Sequence, residues 1–70
     1  MVVVGTYLGV NHVTGCYAVR CIRVQLDDGS VESICAIWRK VYRELDDNDI
    51  KKGDRIKVTK TDNFFRIRKI

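Results

Sequence analysis

Turn signals cut this chain into five short apolar runs of strand length, and only one stretch between them carries helical spacing. The first run, residues 2–10, is rich in β-branched side chains, which favour strands. Asn11-His12-Val13-Thr14-Gly15 follows as a polar loop closing on glycine, the content of a five-residue hairpin connection. A long second run, residues 16–26, ends at Asp27-Asp28-Gly29-Ser30, the clearest turn in the sequence. The third run covers residues 31–37. In residues 38–49, Trp38, Val41 and Leu45 recur at three- and four-residue spacing. That pattern predicts a short helix ending in Asp46-Asp47-Asn48-Asp49. Lys51-Lys52-Gly53-Asp54 opens a last hairpin, in which Ile56 and Val58 alternate with cations, Thr61-Asp62-Asn63 turns, and Phe65 and Ile67 alternate again.

The alternation in the second run changes phase partway. Tyr17, Val19 and Cys21 share one parity, while Ile22, Val24 and Leu26 share the other. A strand that keeps its apolar side inward through such a slip needs a bulge between Arg20 and Ile22, with Arg20 and Arg23 both pointing outward. Strands that bend in this way close small barrels. Three strands, a short helix and two strands is the order of the OB-fold, so the expected class is all-β: one five-stranded barrel domain over residues 1–70 with a helix between strands 3 and 4. An SH3-like barrel is the nearest rival. A chain this short buries only about 60% of the surface its unfolded form exposes, which makes pairing with a second copy attractive. Val2-Val3-Val4, apolar and uncharged, is the expected edge for such a homodimer.

That order and its turns resemble a known family. Leu26-Asp27-Asp28-Gly29, a strand ending at Ile37, Arg39-Lys40, and Ile50-Lys51-Lys52-Gly53-Asp54-Arg55-Ile56-Lys57-Val58 are similar to the S1-like OB domains of translation initiation factor one and its archaeal and eukaryotic counterpart, factor one A. The resemblance spans roughly residues 16–60 and implies the five-stranded barrel and RNA binding on the small ribosomal subunit. Trp38 stands where the family carries glycine before its basic pair, and the interval to Ile50 is longer, making room for the helix.

Charge points to the same class of partner. The chain carries a net +4, and residues 39–70 hold eleven basic against six acidic side chains. A cationic end of this kind favours an anionic ligand. Two groups supply it. Arg39, Lys40, Tyr42 and Arg43 follow strand three, beside Trp38, which is expected to cap the core and leave Tyr42 as the stacking ring. On the last hairpin, Arg55, Lys57, Lys60, Arg66, Arg68 and Lys69 form an outward stripe, and Phe64 shares the parity of Arg66 and Arg68. Arg20 and Arg23, with Tyr17, extend the surface onto strand two. Cations neutralise phosphates and exposed rings stack on bases, so single-stranded RNA or DNA is the expected partner, with weak sequence preference. Duplex DNA is the alternative nucleic acid, and a protein-assembly module is the alternative class.

No cofactor and no catalytic activity are expected. His12 has no nucleophile or carboxylate linked to it by pattern, the acidic run lacks calcium-loop spacing, and no phosphate loop is present. Cys16, Cys21 and Cys35 lack zinc-site spacing and read as small buried hydrophobes in a reducing compartment, with a disulfide left open because no spacing rule fixes pairing. Residues 1–5 have no basic leader region, and no run is long enough to span a membrane, so a soluble, cytoplasmic protein is expected.

Overall fold

The computed structural model describes residues 1–13 and 16–70, with backbone placement alone at His12, Val13 and Cys16. The end of the expected first hairpin loop and the readings of the His12 and Cys16 side chains lie outside the described residues. Six elements follow in order: β1 (Val2–Val13), β2 (Cys16–Gln25), β3 (Val31–Ile37), α1 (Trp38–Asp47), β4 (Arg55–Lys60) and β5 (Phe65–Lys69). They make a small all-β unit, with one antiparallel five-stranded sheet in the order β3-β2-β1-β4-β5 and one short helix.

β1 is the central strand of the sheet order, but its two halves serve different neighbours. Residues 2–6 pair with β4 and residues 6–13 pair with β2, so the Val2-Val3-Val4 segment is hydrogen-bonded to β4 on one side and has no strand partner on the other. The coil that lets one strand serve both halves also lies in β1. Register shifts between Tyr7 and Gly9, where Leu8 is the extra residue, while β2 runs in unbroken register with β3 from Val19 to Gln25. Gly9 has φ +128°, a conformation that a side chain strongly disfavours, and this is what lets the bulge sit there. No shift falls at residues 20–22; the irregularity of β2 lies just before them, where His12 pairs with Arg20 and Val13 with Cys16 and residues 17–19 are left over. In an unbroken strand Arg20 falls on the parity of the core residues Ile22 and Val24, opposite to Arg23.

The inward faces meet in one cluster. Ile22, Val24, Ile34, Ile56, Val58 and Ile67 are fully buried, and each such side chain contributes about 1.5–3 kcal/mol. Val41 and Leu45, one helical turn apart, add the buried face of α1, which packs on β2, β3 and β5. The helix stops as its acidic tail suggested. Asp49 takes a left-handed φ of +52°, its amide donates to the Asp46 carbonyl, and the Ile50 amide donates to the Leu45 carbonyl at 2.9 Å. That paired return satisfies the last carbonyls and draws Ile50 onto the core beside Leu45.

The sheet stays open. β3 and β5 are its two edges, with no ladder between them. Cys21 and Cys35 sit directly opposite each other on β2 and β3 and are joined as a disulfide, fourteen residues apart in sequence. Sequence spacing favoured separate thiols; the register that brings the two side by side exists only once β2 and β3 have paired. No helix among the described residues is long and apolar enough to cross a membrane.

Two stability measurements follow from this frame. A Cβ at Gly5 would overlap the Gln25 carbonyl oxygen and approach Val24 Cγ1 to 2.8 Å, so Gly5→Ala should lower unfolding free energy by about 1–3 kcal/mol in urea titration. Reducing the Cys21–Cys35 bond should lower it by about 3 kcal/mol, the value for a closed loop of this size. Peptide mapping without reductant should recover the two cysteines linked.

Candidate nucleic-acid interface

Two chain segments far apart in sequence arrive together at the open seam. One is the junction where β3 ends and α1 begins; the other is the β4–β5 turn. The turn is fixed from within. Thr61 donates its amide to the Phe64 carbonyl at 2.9 Å, while Thr61 Oγ1 accepts from the Asn63 and Phe64 amides at 3.2 Å. Between the segments lie two adjoining depressions of about 220 and 150 Å³, which share Lys40, Phe64 and Phe65. Ala36, Ile37, Lys60 and Asp62 help to line the larger; Arg43, Glu44 and Asn63 help to line the smaller.

Side chains do at the seam what a strand ladder does elsewhere. Glu44 Oε1 accepts the Ile67 amide of the β5 edge at 2.9 Å and Arg68 Nη1 at 3.0 Å. From the other side, Lys60 Nζ donates to the Cys35 carbonyl of the β3 edge. Edge groups that would otherwise lack partners are satisfied, and the three side chains are held in place. Arg68 and Lys60 thus serve the fold first.

The remaining cations of the seam are uncommitted. Lys40 and Arg43 are exposed and, among the described residues, neither forms an ion pair with a carboxylate. Phe64 is 41% exposed, and the Arg66 guanidinium carbon lies 5.5 Å from the centre of its ring. A cation over one face of a ring leaves the other face for stacking. Two groups that sequence treated as separate, one after β3 and one on the last hairpin, therefore meet here.

The helix also divides the first group. Trp38 and Tyr42, four residues apart, share one flank of α1, and Lys40 and Arg43 share the other. Trp38 does not cap the core: it is 42% exposed, against 38% for Tyr42, and Arg39 lies 5.3 Å from its ring centre. Val41 takes the core position instead. Tyr42 sits near Tyr7, whose hydroxyl is pushed above its ordinary pKa first by burial and then by Tyr42. The groove's ring is Phe64.

Other expected contacts fall elsewhere. Arg20 does not point outward with Arg23; its Nη1 bonds the carbonyls of Tyr17 and Val19 on its own strand, at 3.0 and 2.9 Å. Arg23 is exposed on the outer face opposite Gly9, and Lys57 is exposed opposite Arg68. Arg55 is held by Asp27 through two bonds of 3.0 and 3.1 Å, and Lys69 lies 3.4 Å from Asp54. Among the described residues no cluster of His, Cys, Asp and Glu could hold a metal ion. Sequence reasoning did not single out Glu44, Asp62 or Asn63. Thr61-Asp62-Asn63 signalled a turn, and nothing in it signalled that the turn borders a groove.

The Arg55 hydrogen bond, then its charge, holds the Asp27 carboxyl below its ordinary 3.8. A depressed folded pKa stabilises the fold above the unfolded value and loses that contribution as pH falls through the folded one. Proton titration followed by NMR should find Asp27 below the usual carboxylate range, and Arg55→Ala should return it toward 3.8.

No protein-family model matches the chain, and no curated protein or solved structure matches it either, so the functional reading rests on the seam itself.

Proposed function

We propose that this chain is an OB-type nucleic-acid-binding protein that holds single-stranded RNA or DNA in the groove between β3, α1 and the β4–β5 turn. The observation that carries the reading is the convergence of uncommitted Lys40 and Arg43 with exposed Phe64, backed by Arg66, on one trough. Cations on a groove wall track a phosphate backbone, and a ring beside them accepts a base. The strand order supports the OB assignment, because pairing β3 with β5 would close this sheet into that five-stranded barrel. An initiation-factor-like role, with the ribosome as the site of binding, follows from the family resemblance of the Asp27–Val58 region and is part of the same proposal.

A narrow trough suits one strand better than a duplex, whose two backbones need a broader cationic face. Lys57 and Arg66 on the outer face of β4 and β5 would extend the contact for longer strands. Binding is mainly electrostatic, so affinity falls steeply with salt.

Fluorescence anisotropy with labelled single-stranded RNA, single-stranded DNA and duplex DNA tests this at about 50 mM salt. Single strands should bind more tightly than duplex. The double variant Lys40→Ala/Arg43→Ala should flatten the log–log salt slope by about 1.4, two phosphates at about 0.7 each. Phe64→Ala should cost about 1–3 kcal/mol, the worth of one stacked base. Arg55→Ala, which removes a cation already held by Asp27, should change little. Absence of binding to all three probes removes the reading; a stable dimer in sedimentation that buries Phe64 would favour an assembly role instead.

A further inference from the structure

The trough is cationic, yet one of its walls carries a carboxylate that pairs with nothing. Asp62 lines the larger depression together with Lys40, Lys60 and Phe64. Among the described residues it accepts no hydrogen bond and has no cation within ion-pair distance, although cations share its groove. Glu44, the other groove carboxylate, is engaged by the Ile67 amide and Arg68.

Nor does the turn need the Asp62 side chain. An aspartate in a turn ordinarily bonds a nearby amide, as Asp28 does with the Ser30 amide at 2.9 Å in the β2–β3 turn. In the β4–β5 turn Thr61 does that work, bonding both following amides. The Asp62 carboxylate is left without a partner in an exposed residue that lines the groove. Beside phosphate-binding cations it weakens phosphate binding, so its contribution must come from what a carboxylate alone offers, a pair of acceptor oxygens for neighbouring N–H donors.

Among the bases, guanine matches that pair. Its pairing edge sets the N1–H and the N2 amine side by side, both donors. Adenine and cytosine offer one amine beside an acceptor nitrogen, and uracil offers one N–H between two carbonyls. An unpaired base exposes this edge to side chains. We propose that the groove selects an unpaired guanine: its ring stacks on Phe64, its N1–H and N2 amine donate to the Asp62 carboxylate, and Lys40 and Arg43 hold the flanking phosphates. The inference rests on the nucleic-acid reading and sharpens it from sequence-tolerant binding to recognition of one base.

The test uses labelled uridine heptamers whose central residue is uridine, guanosine or inosine, which keeps N1–H and lacks the N2 amine. The single substitution avoids guanine quadruplexes. Wild-type protein should bind the guanosine oligomer about tenfold more tightly than all-uridine, the scale of one bidentate base contact, with inosine between. Asp62→Ala should abolish the preference while binding all-uridine at least as well, because a negative charge has left the trough. Equal wild-type affinity for the guanosine and uridine oligomers would overturn guanine selection and leave the nucleic-acid reading standing. Preference persisting in Asp62→Ala would overturn the role of Asp62. No binding to any heptamer would remove the nucleic-acid reading and this inference together. Circular dichroism of Asp62→Ala confirms that the fold is retained.

Discussion

The hydrogen bond from the Ile67 amide to Glu44 is the contact on which the seam depends. A five-stranded sheet curled this tightly has two edges that face each other, and each presents backbone groups that need partners. Here β3 and β5 do not pair, so α1 enters between them and its Glu44 supplies the acceptor that a strand would have supplied. Lys60 does the corresponding work on the β3 side through the Cys35 carbonyl. A side chain occupies less length than a ladder. What remains between the edges is a trough, and the groove exists because the sheet is bridged at points and not zipped along its length.

That arrangement sorts the cations. The chain has thirteen lysines and arginines, and composition treats them alike. In the folded chain Arg55, Arg68, Lys69 and Lys51 face carboxylates, Lys60 spans the seam, and Arg20 folds back on its own strand. The exposed ion pairs add little to stability individually. Their effect is to remove charges from the pool that can meet an external anion. Lys40 and Arg43 stay in that pool because the helix points them to the flank away from Tyr42, toward the turn that carries Phe64.

The central strand sets where the seam lies. β1 serves β4 with its first half and β2 with its second, and the residue inserted at Leu8 turns it between the two. Gly5 lets β2 pass close, and Gly9 accepts the backbone angle of the bulge. The disulfide then ties β3 to β2, fixing the edge that Lys60 reaches. The groove wall at Ala36 and Ile37 continues directly from that tethered residue.

Much of this was legible in the chain. Alternation of Ile56 and Val58 with cations, and the spacing of Val41 and Leu45, marked the strands and the helix because burial on one side imposes a period on the sequence. The Asp27–Ser30 and Thr61–Phe64 turns were marked by residues with local hydrogen-bonding chemistry. Tertiary structure decided what periodicity cannot carry. The phase change in residues 16–26 looked like a bulge at residues 20–22, yet the register shifts of the β1–β2 pair fall at Leu8 of β1 and at residues 17–19 of β2, because a bulge belongs to a pair of strands and either partner can hold it. Trp38 looked like a core cap, but Val41 already filled that place. The cysteines paired because register set Cys21 against Cys35. Local sequence fixes which face of an element is apolar; only packing decides which polar side chains are used up holding the fold and which are left over for a ligand.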